Sequence, residues 1–220
     1  MIEQWSEDTG IHVIRLNRPQ HANALSMALL KELQEALQAI KNKEEIRCVL
    51  LTGSGERVFC AGADLKERKG LPESEVKQAV ALISDTINLL EEVPQPTIAC
   101  LNGSAFGGGL ELALACDIRL TAAEAKMGLT ETTLGIIPGA GGTQRLPRIV
   151  GIAKAKEMIY TGKRITASEA LEIGLVNAVV RQEELMQTGM EWAGQIAANG
   201  PIAVRAAKKA INSSLDTDIA

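Results

Sequence analysis

A chain of 220 residues with 46% apolar side chains can bury one sizeable core, which fits a single large domain. Lys and Arg number 23 against 27 for Asp and Glu, so a formal charge of -4 supplies no basic field to draw nucleic acid or anionic lipid. No apolar run approaches the roughly 20 residues that span a bilayer, and Met1 to Gly10 carries Glu3, Glu7 and Asp8 where a signal peptide needs basic residues. The expected compartment is the cytoplasm, or the mitochondrial matrix if an import sequence has been removed.

In chain order, His12 to Leu16 alternates apolar and polar residues and predicts a strand ended by Asn17, Arg18 and Pro19. Leu25 to Ile40 repeats apolar residues at helical spacing, with Ser26 as a cap near its start. Cys48 to Leu51 and Val58 to Ala61 read as short buried strands, and a helix from about Glu73 to Glu92 is stopped by Pro94 and Pro96. Thr97 to Leu101 is a strand, Gly107 to Gly109 open a short apolar helix, and Ile118 to Thr121 is a strand again. Thr166 and Glu169 form a capping box for a helix over Ala167 to Ile173, Leu175 to Val180 is a strand, and helices over about Glu183 to Ala198 and Pro201 to Ile211 follow. Strands alternating with helices predict an α/β domain with a helical end.

Cys48, Cys60, Cys100 and Cys116 sit in apolar company without CxxC spacing, and the only histidines are His12 and His21. Neither a metal site nor a Cys/His nucleophile is indicated, and buried reduced thiols are expected. Phosphate-loop, dinucleotide and nucleophile-elbow patterns are missing.

The acidic residues are more telling. Glu111 is the only carboxylate of a helix otherwise built from Leu, Ala and Cys, so it must be paired, hydrogen-bonded or protonated. A salt bridge to an arginine such as Arg145 and a role as acid or base in a closed site are both open. The glycines before it would let a ligand oxygen approach the free N–H groups of the helix start. Twenty residues on, Glu131 is the sole acid of MGLTETTLGIIPGAGGTQRL, framed by Pro138 and Gly139 to Gly142. Two isolated carboxylates in apolar surroundings suit general acid and base chemistry; a surface-loop glutamate is the plain alternative for the second. In FCAGADLKE the turn after Gly62 would direct the Ala63 N–H into a cavity, unless it is an ordinary turn.

Together FCAGADLKE, NGSAFGGGLELALACDIR and KMGLTETTLGIIPGAGGTQRLPR, in this order and spacing, resemble the enoyl-CoA hydratase/isomerase (crotonase) family over nearly the whole chain. The resemblance implies a ββα spiral core over residues 1–180 and the start of a C-terminal helical region over 181–220, which in the family continues some tens of residues further. It implies that the Ala63 and Gly108 N–H groups hold the thioester oxygen, single donors of this kind being worth roughly 3–4 kcal/mol. Glu111 would then activate water, Glu131 would exchange a proton with the substrate C2, and Gly139 would help position the water. The CoA arm would follow Gln20, His21, Ala22, Ala61, Gly62, Asp64, Leu65 and Lys66. Having both glutamates favours a hydratase; an isomerase of the same fold or an RNA-binding relative is the alternative.

GLELALACDIR and AKMGLTET are closest in wording to the methylglutaconyl-CoA hydratase branch, which serves leucine breakdown. A short-chain 2-enoyl-CoA is therefore the expected substrate, CoA being part of it, with no further cofactor and no metal. A homotrimer or a dimer of trimers is the implied assembly. Nucleic acid is not an expected partner, since Lys31, Lys41, Lys43 and Arg47 are balanced by Glu32, Glu35, Glu44 and Glu45 in the first helical region.

Overall fold

The computed structural model describes residues 1–214. Its chain runs in repeated turns of strand, strand and helix. β1 (Ile2–Ser6) folds back on β2 (Ile11–Leu16), α1 (Met27–Lys41) follows, and β3 (Cys48–Gly53) with β4 (Val58–Cys60) leads into α2 (Leu65–Arg68) and α3 (Glu73–Glu92). The next turn is β5 (Thr97–Leu101), β6 (Ser104–Phe106) and α4 (Gly108–Leu114). The third is β7 (Ile118–Ala122) and β8 (Lys126–Gly128), then α5 (Gly142–Val150) and α6 (Ile152–Thr161). β9 (Ile165–Thr166), α7 (Ala167–Glu172) and β10 (Ala178–Val180) close the spiral before α8 (Leu185–Ala197) and α9 (Pro201–Ser213).

The first strand of each turn joins a six-stranded sheet in the order β1-β2-β3-β5-β7-β10, parallel except for the antiparallel β1–β2 pair. The second strand joins a four-stranded sheet, β4-β6-β8-β9, parallel up to the antiparallel β8–β9 pair. This is the α/β ββα spiral that the motifs led us to expect. β3 and β5 are buried at every position, and both faces of their sheet are covered, as a parallel sheet requires. One cluster joins α1, α3 and α4, through Leu33, Leu37, Ile87, Leu90 and Leu110, to residues of both sheets such as Leu51 and Phe59. A second, with Leu50, Ile98 and Leu120 from the sheet, packs against Leu185 and Ala193 of α8.

Local signals explain several boundaries. Ser26 caps α1 by accepting from the Leu29 N–H at 3.3 Å, a contact worth about 1 kcal/mol. The capping box of Thr166 and Glu169 is complete. β1 was not legible: Trp5 and Ile2 are its only large apolar residues, and as an edge strand it is half-exposed. α5 and α6, and the short strands β6, β8 and β9, were not legible either, because too few residues lie between glycines for a period to show.

The C-terminal region consists of α8 and α9, and residues 215–220 lie outside the described part. α9 buries no side chain completely. It is held by polar contacts: Lys208 Nζ lies 2.8 Å from Asp117 and donates to the Gln95 carbonyl at 3.0 Å, while Arg205 donates to the Ile46 carbonyl at 3.0 Å. No helix among the described residues is long and apolar enough to cross a membrane.

Candidate active site

α4 is buried at all seven positions because it is driven against the end of β4. A side chain at Gly109 would begin 2.1 Å from the Cys60 carbonyl oxygen, so only glycine allows this approach. The contact brings the start of α4 beside the segment that follows β4. A Cβ on Gly62 would lie 3.1 Å from the Gly108 nitrogen, and one on Gly108 would lie 3.6 Å from the Ala63 nitrogen. Neither the Ala63 nor the Gly108 N–H donates a hydrogen bond to any described residue. Two free N–H groups thus sit side by side, on the residues expected to form an oxyanion hole.

Glu111, one turn into α4, is 3% exposed. Its Oε1 accepts the N–H groups of Ala140 and Gly142, both at 2.8 Å. Gly142 is needed there, since a Cβ would stand 2.9 Å from that oxygen. Burial raises the Glu111 pKa above its ordinary value; the two backbone donors and the charge of Arg145 oppose the rise without cancelling it. The PGAGG turn therefore supplies donors from Ala140 and Gly142, which the sequence reading had not singled out. Gly139, expected to position water, is exposed on the same turn.

A salt bridge from Arg145 to Glu111 does not form. Arg145 Nη2 instead lies 2.6 Å from Glu91 and 2.9 Å from Asn88 Oδ1, while Nη1 donates to the Ala140 carbonyl at 2.9 Å. α3 carries Glu91 and Asn88 on the face toward α5, so the guanidinium turns there and braces the turn that grips Glu111 from behind.

Glu131 begins a 3-10 turn, Glu131–Leu134, ended by Gly135 in the left-handed region at φ 74°. Thr132 ties this turn to α6 by donating to the Ile159 carbonyl at 2.6 Å. The Glu131 side chain reaches back to α4: a Cβ on Gly107 would lie 3.1 Å from Glu131 Oε1. It is half-buried, and Oε2 is enclosed without a hydrogen-bond partner. Burial pushes its pKa up to about 7, its own backbone N–H works against this, and the charge of Glu111 adds to it. The surface-loop reading is thereby set aside, and the two carboxylates are electrostatic neighbours.

This shift has a measurable cost. Between the ordinary carboxylate pKa of 4.5 and about 7 the folded protein holds more protons at Glu131 than the unfolded chain, so stability falls as pH rises through that window. Glu131→Gln should therefore be more stable than the parent at pH 8, by about 1 kcal/mol once screening of a half-buried group is allowed for. The gain should shrink toward pH 5. Urea unfolding at both pH values measures it, and a variant no more stable than the parent at pH 8 would contradict the strained state of this carboxylate.

The two segments expected to follow a CoA arm, 20–22 and 61–66, are joined by a backbone hydrogen bond. Gln20 and His21 are exposed in the 3-10 turn Pro19–His21, and the carbonyl of Ala22 accepts the Ala61 N–H at 3.0 Å. Asp64 caps α2 and pairs with Arg18 at 3.1 Å, while Leu65 and Lys66 are exposed. All four cysteines are free and buried, and burial pushes the Cys48, Cys60 and Cys116 thiols up to about 12, which leaves them inert as nucleophiles. Among the described residues no group of three His, Cys, Asp or Glu could hold a metal ion.

Residues 6–219 match the sequence profile of the family described as enoyl-CoA hydratase/isomerase. YngF of Bacillus subtilis is 61% identical over 208 residues, covering 94% of this chain and 80% of that protein. The mitochondrial methylglutaconyl-CoA hydratase of Mus musculus is 45% identical over 217 residues, 97% of this chain and 69% of the other. A crystal structure of enoyl-CoA hydratase from Bacillus anthracis superposes with a TM-score of 0.97 at 54% identity, covering 99% of this chain and 84% of that one. With its ββα spiral and its profile matched almost end to end, the chain belongs to the enoyl-CoA hydratase/isomerase, or crotonase, family, which acts on acyl-CoA thioesters.

Proposed function

We propose that the protein is an enoyl-CoA hydratase that adds water reversibly across the double bond of a short-chain 2-enoyl-CoA. One observation carries this reading: Glu111 and Glu131, both with raised pKa values, approach each other beside two backbone N–H groups that lack partners. The Ala63 and Gly108 N–H groups donate to the thioester oxygen and hold the negative charge that develops when C3 is attacked. Glu111, its Oε1 fixed by Ala140 and Gly142, takes a proton from water through its second oxygen while the water oxygen bonds to C3. Glu131, poised near neutrality, delivers a proton to C2 as the enolate collapses. Gly139 lies on the turn that fixes Glu111 and completes the water site. The CoA arm lies along Gln20–Ala22 and Ala61–Lys66.

The likeness to methylglutaconyl-CoA hydratase makes 3-methylglutaconyl-CoA a leading candidate substrate. No metal or further cofactor takes part. We also propose a homotrimer or a dimer of trimers, which would cover some of the outward Ile152, Tyr160 and Ile202 side chains, each more than 60% exposed.

A panel of enoyl-CoA thioesters, including crotonyl-CoA and 3-methylglutaconyl-CoA, followed by loss of enoyl absorbance tests the reaction. At least one short member should be hydrated by protein dialysed against chelator. Double-bond migration without hydration would replace the assignment by an isomerase, and activity that returned only with added zinc would remove the metal-free mechanism.

A further inference from the structure

The donors of the proposed oxyanion hole need a frame that holds them to a fraction of an ångström, and the frame of Ala63 contains an unusual turn. Ala22 and Asn23 are the non-glycine residues with positive φ among the described residues, at 51° and 50°. The left-handed region disfavours any side chain, and alanine has no polar group with which to offset the strain. Two such residues in succession persist only where their surroundings over-determine them.

Asn23 supplies the surroundings. It is fully buried, and its amide is used to capacity. Oδ1 accepts the Arg18 N–H at 2.9 Å and the Ser54 hydroxyl at 3.4 Å; Nδ2 donates to the carbonyls of Ser54 and Val58, both at 3.0 Å. The side chain thus joins the turn to the loop before β4 and to the first residue of β4 itself. The backbone on both sides of it then grips the segment that follows β4. The Ala61 N–H donates to the Ala22 carbonyl at 3.0 Å, the Leu25 N–H to the Gly62 carbonyl at 2.8 Å, and the Asp64 N–H to the Leu25 carbonyl at 3.2 Å. Residues on either side of Ala63 are stitched down while its own N–H is left free.

We propose that Asn23 is a positioning residue for the oxyanion hole: its buried amide locks the left-handed Ala22–Asn23 turn, and that turn aims the Ala63 N–H at the thioester oxygen. This rests on the reading of Ala63 as a donor. The simpler account, that asparagine stands here only because it tolerates positive φ, makes an opposite prediction for glycine. Asn102 provides the control. It is also buried and holds the same loop, through the Gly53 N–H at 2.9 Å and the Gly55 carbonyl at 2.7 Å, yet makes no bond to residues 22–25 or 61–64.

The experiment uses a dialkylamino-cinnamoyl-CoA, whose absorption moves to the red when its carbonyl oxygen accepts strong hydrogen bonds, together with kcat and KM for the best enoyl-CoA. Asn23→Gly keeps the turn's backbone freedom and removes the amide. It should bind the probe with near-parent affinity, lose much of the red shift, and show kcat lowered about 10- to 100-fold with KM little changed, as a misplaced reacting group does. Asn102→Ser should retain the red shift, even where its loss of stability is as large. Should the glycine variant not fold, Asn23→Asp is read by the same measurements, since it keeps the shape and the Oδ1 acceptor and replaces only the donor. A folded Asn23 variant with full red shift and full kcat overturns the proposal, and so does an equal loss of red shift in Asn102→Ser. Absence of any red shift in the parent protein would instead defeat the oxyanion reading of Ala63 and Gly108.

Discussion

Glu111→Gln and Glu131→Gln should each lower turnover of the best enoyl-CoA substrate by about 10²- to 10⁴-fold, because each deletes one proton transfer while nearly preserving shape. Their effects should not multiply. Water cannot add to C3 without a base to take its proton, and the enolate cannot become product without an acid at C2. A double variant should therefore be little worse than the poorer single one, as for residues that act as a unit. Affinity for an unreactive acyl-CoA, measured by calorimetry, should survive in all three. The structure adds an asymmetry. An amide at position 111 can still accept the Ala140 and Gly142 N–H groups through its oxygen, so the turn should stay in place. At position 131 it loses only a group whose Oε2 has no partner, so folding should improve at alkaline pH. Substantial hydration by Glu131→Gln beside an inactive Glu111→Gln would mark a one-glutamate member of the fold and overturn the hydratase assignment.

Much of this site could be read from the chain because its chemistry leaves compositional marks. A carboxylate alone in an apolar helix, as Glu111 is, needs an account wherever the helix packs. A run of three glycines beside it announces a close backbone approach, and Gly109 against Cys60 is that approach. The partner of Glu111 was less legible. Arg145 is the cation that the sequence suggests as its pair, yet N–H groups of a turn satisfy the carboxylate, and backbone donors carry no side-chain signature. The same holds for the frame behind Ala63. Asn23 is one polar residue in a short stretch, and neither its left-handed backbone nor three of its four side-chain hydrogen bonds can be inferred from neighbours in sequence, since Ser54 and Val58 lie more than thirty residues away. Periodicity located α1 and α3 because each repeats over four or five turns. It was silent for β6, β8 and β9, strands of two or three residues whose existence depends on partners from distant turns of the spiral.

Gly108→Pro should cost at least about 10² in turnover by removing the N–H proposed to bind the thioester oxygen. Proline is usually too disruptive for such a test, but the position is favourable. Gly108 is the first residue of α4, where an N–H has no partner within the helix and the proline φ suits the helical start. The residue before it is Gly107, at φ 51° and ψ -129°, outside the helical region that a following proline disfavours. Gly108→Ala separates the donor from the space. It keeps the N–H and adds a Cβ 3.3 Å from Leu25 Cδ1, a flexible side-chain end that can give way. The alanine variant should hence retain most of the turnover that proline loses, with circular dichroism confirming the same helix content in both. Equal losses in the two variants would point to crowding at the start of α4, and a folded proline variant with near-parent turnover would remove Gly108 from the mechanism.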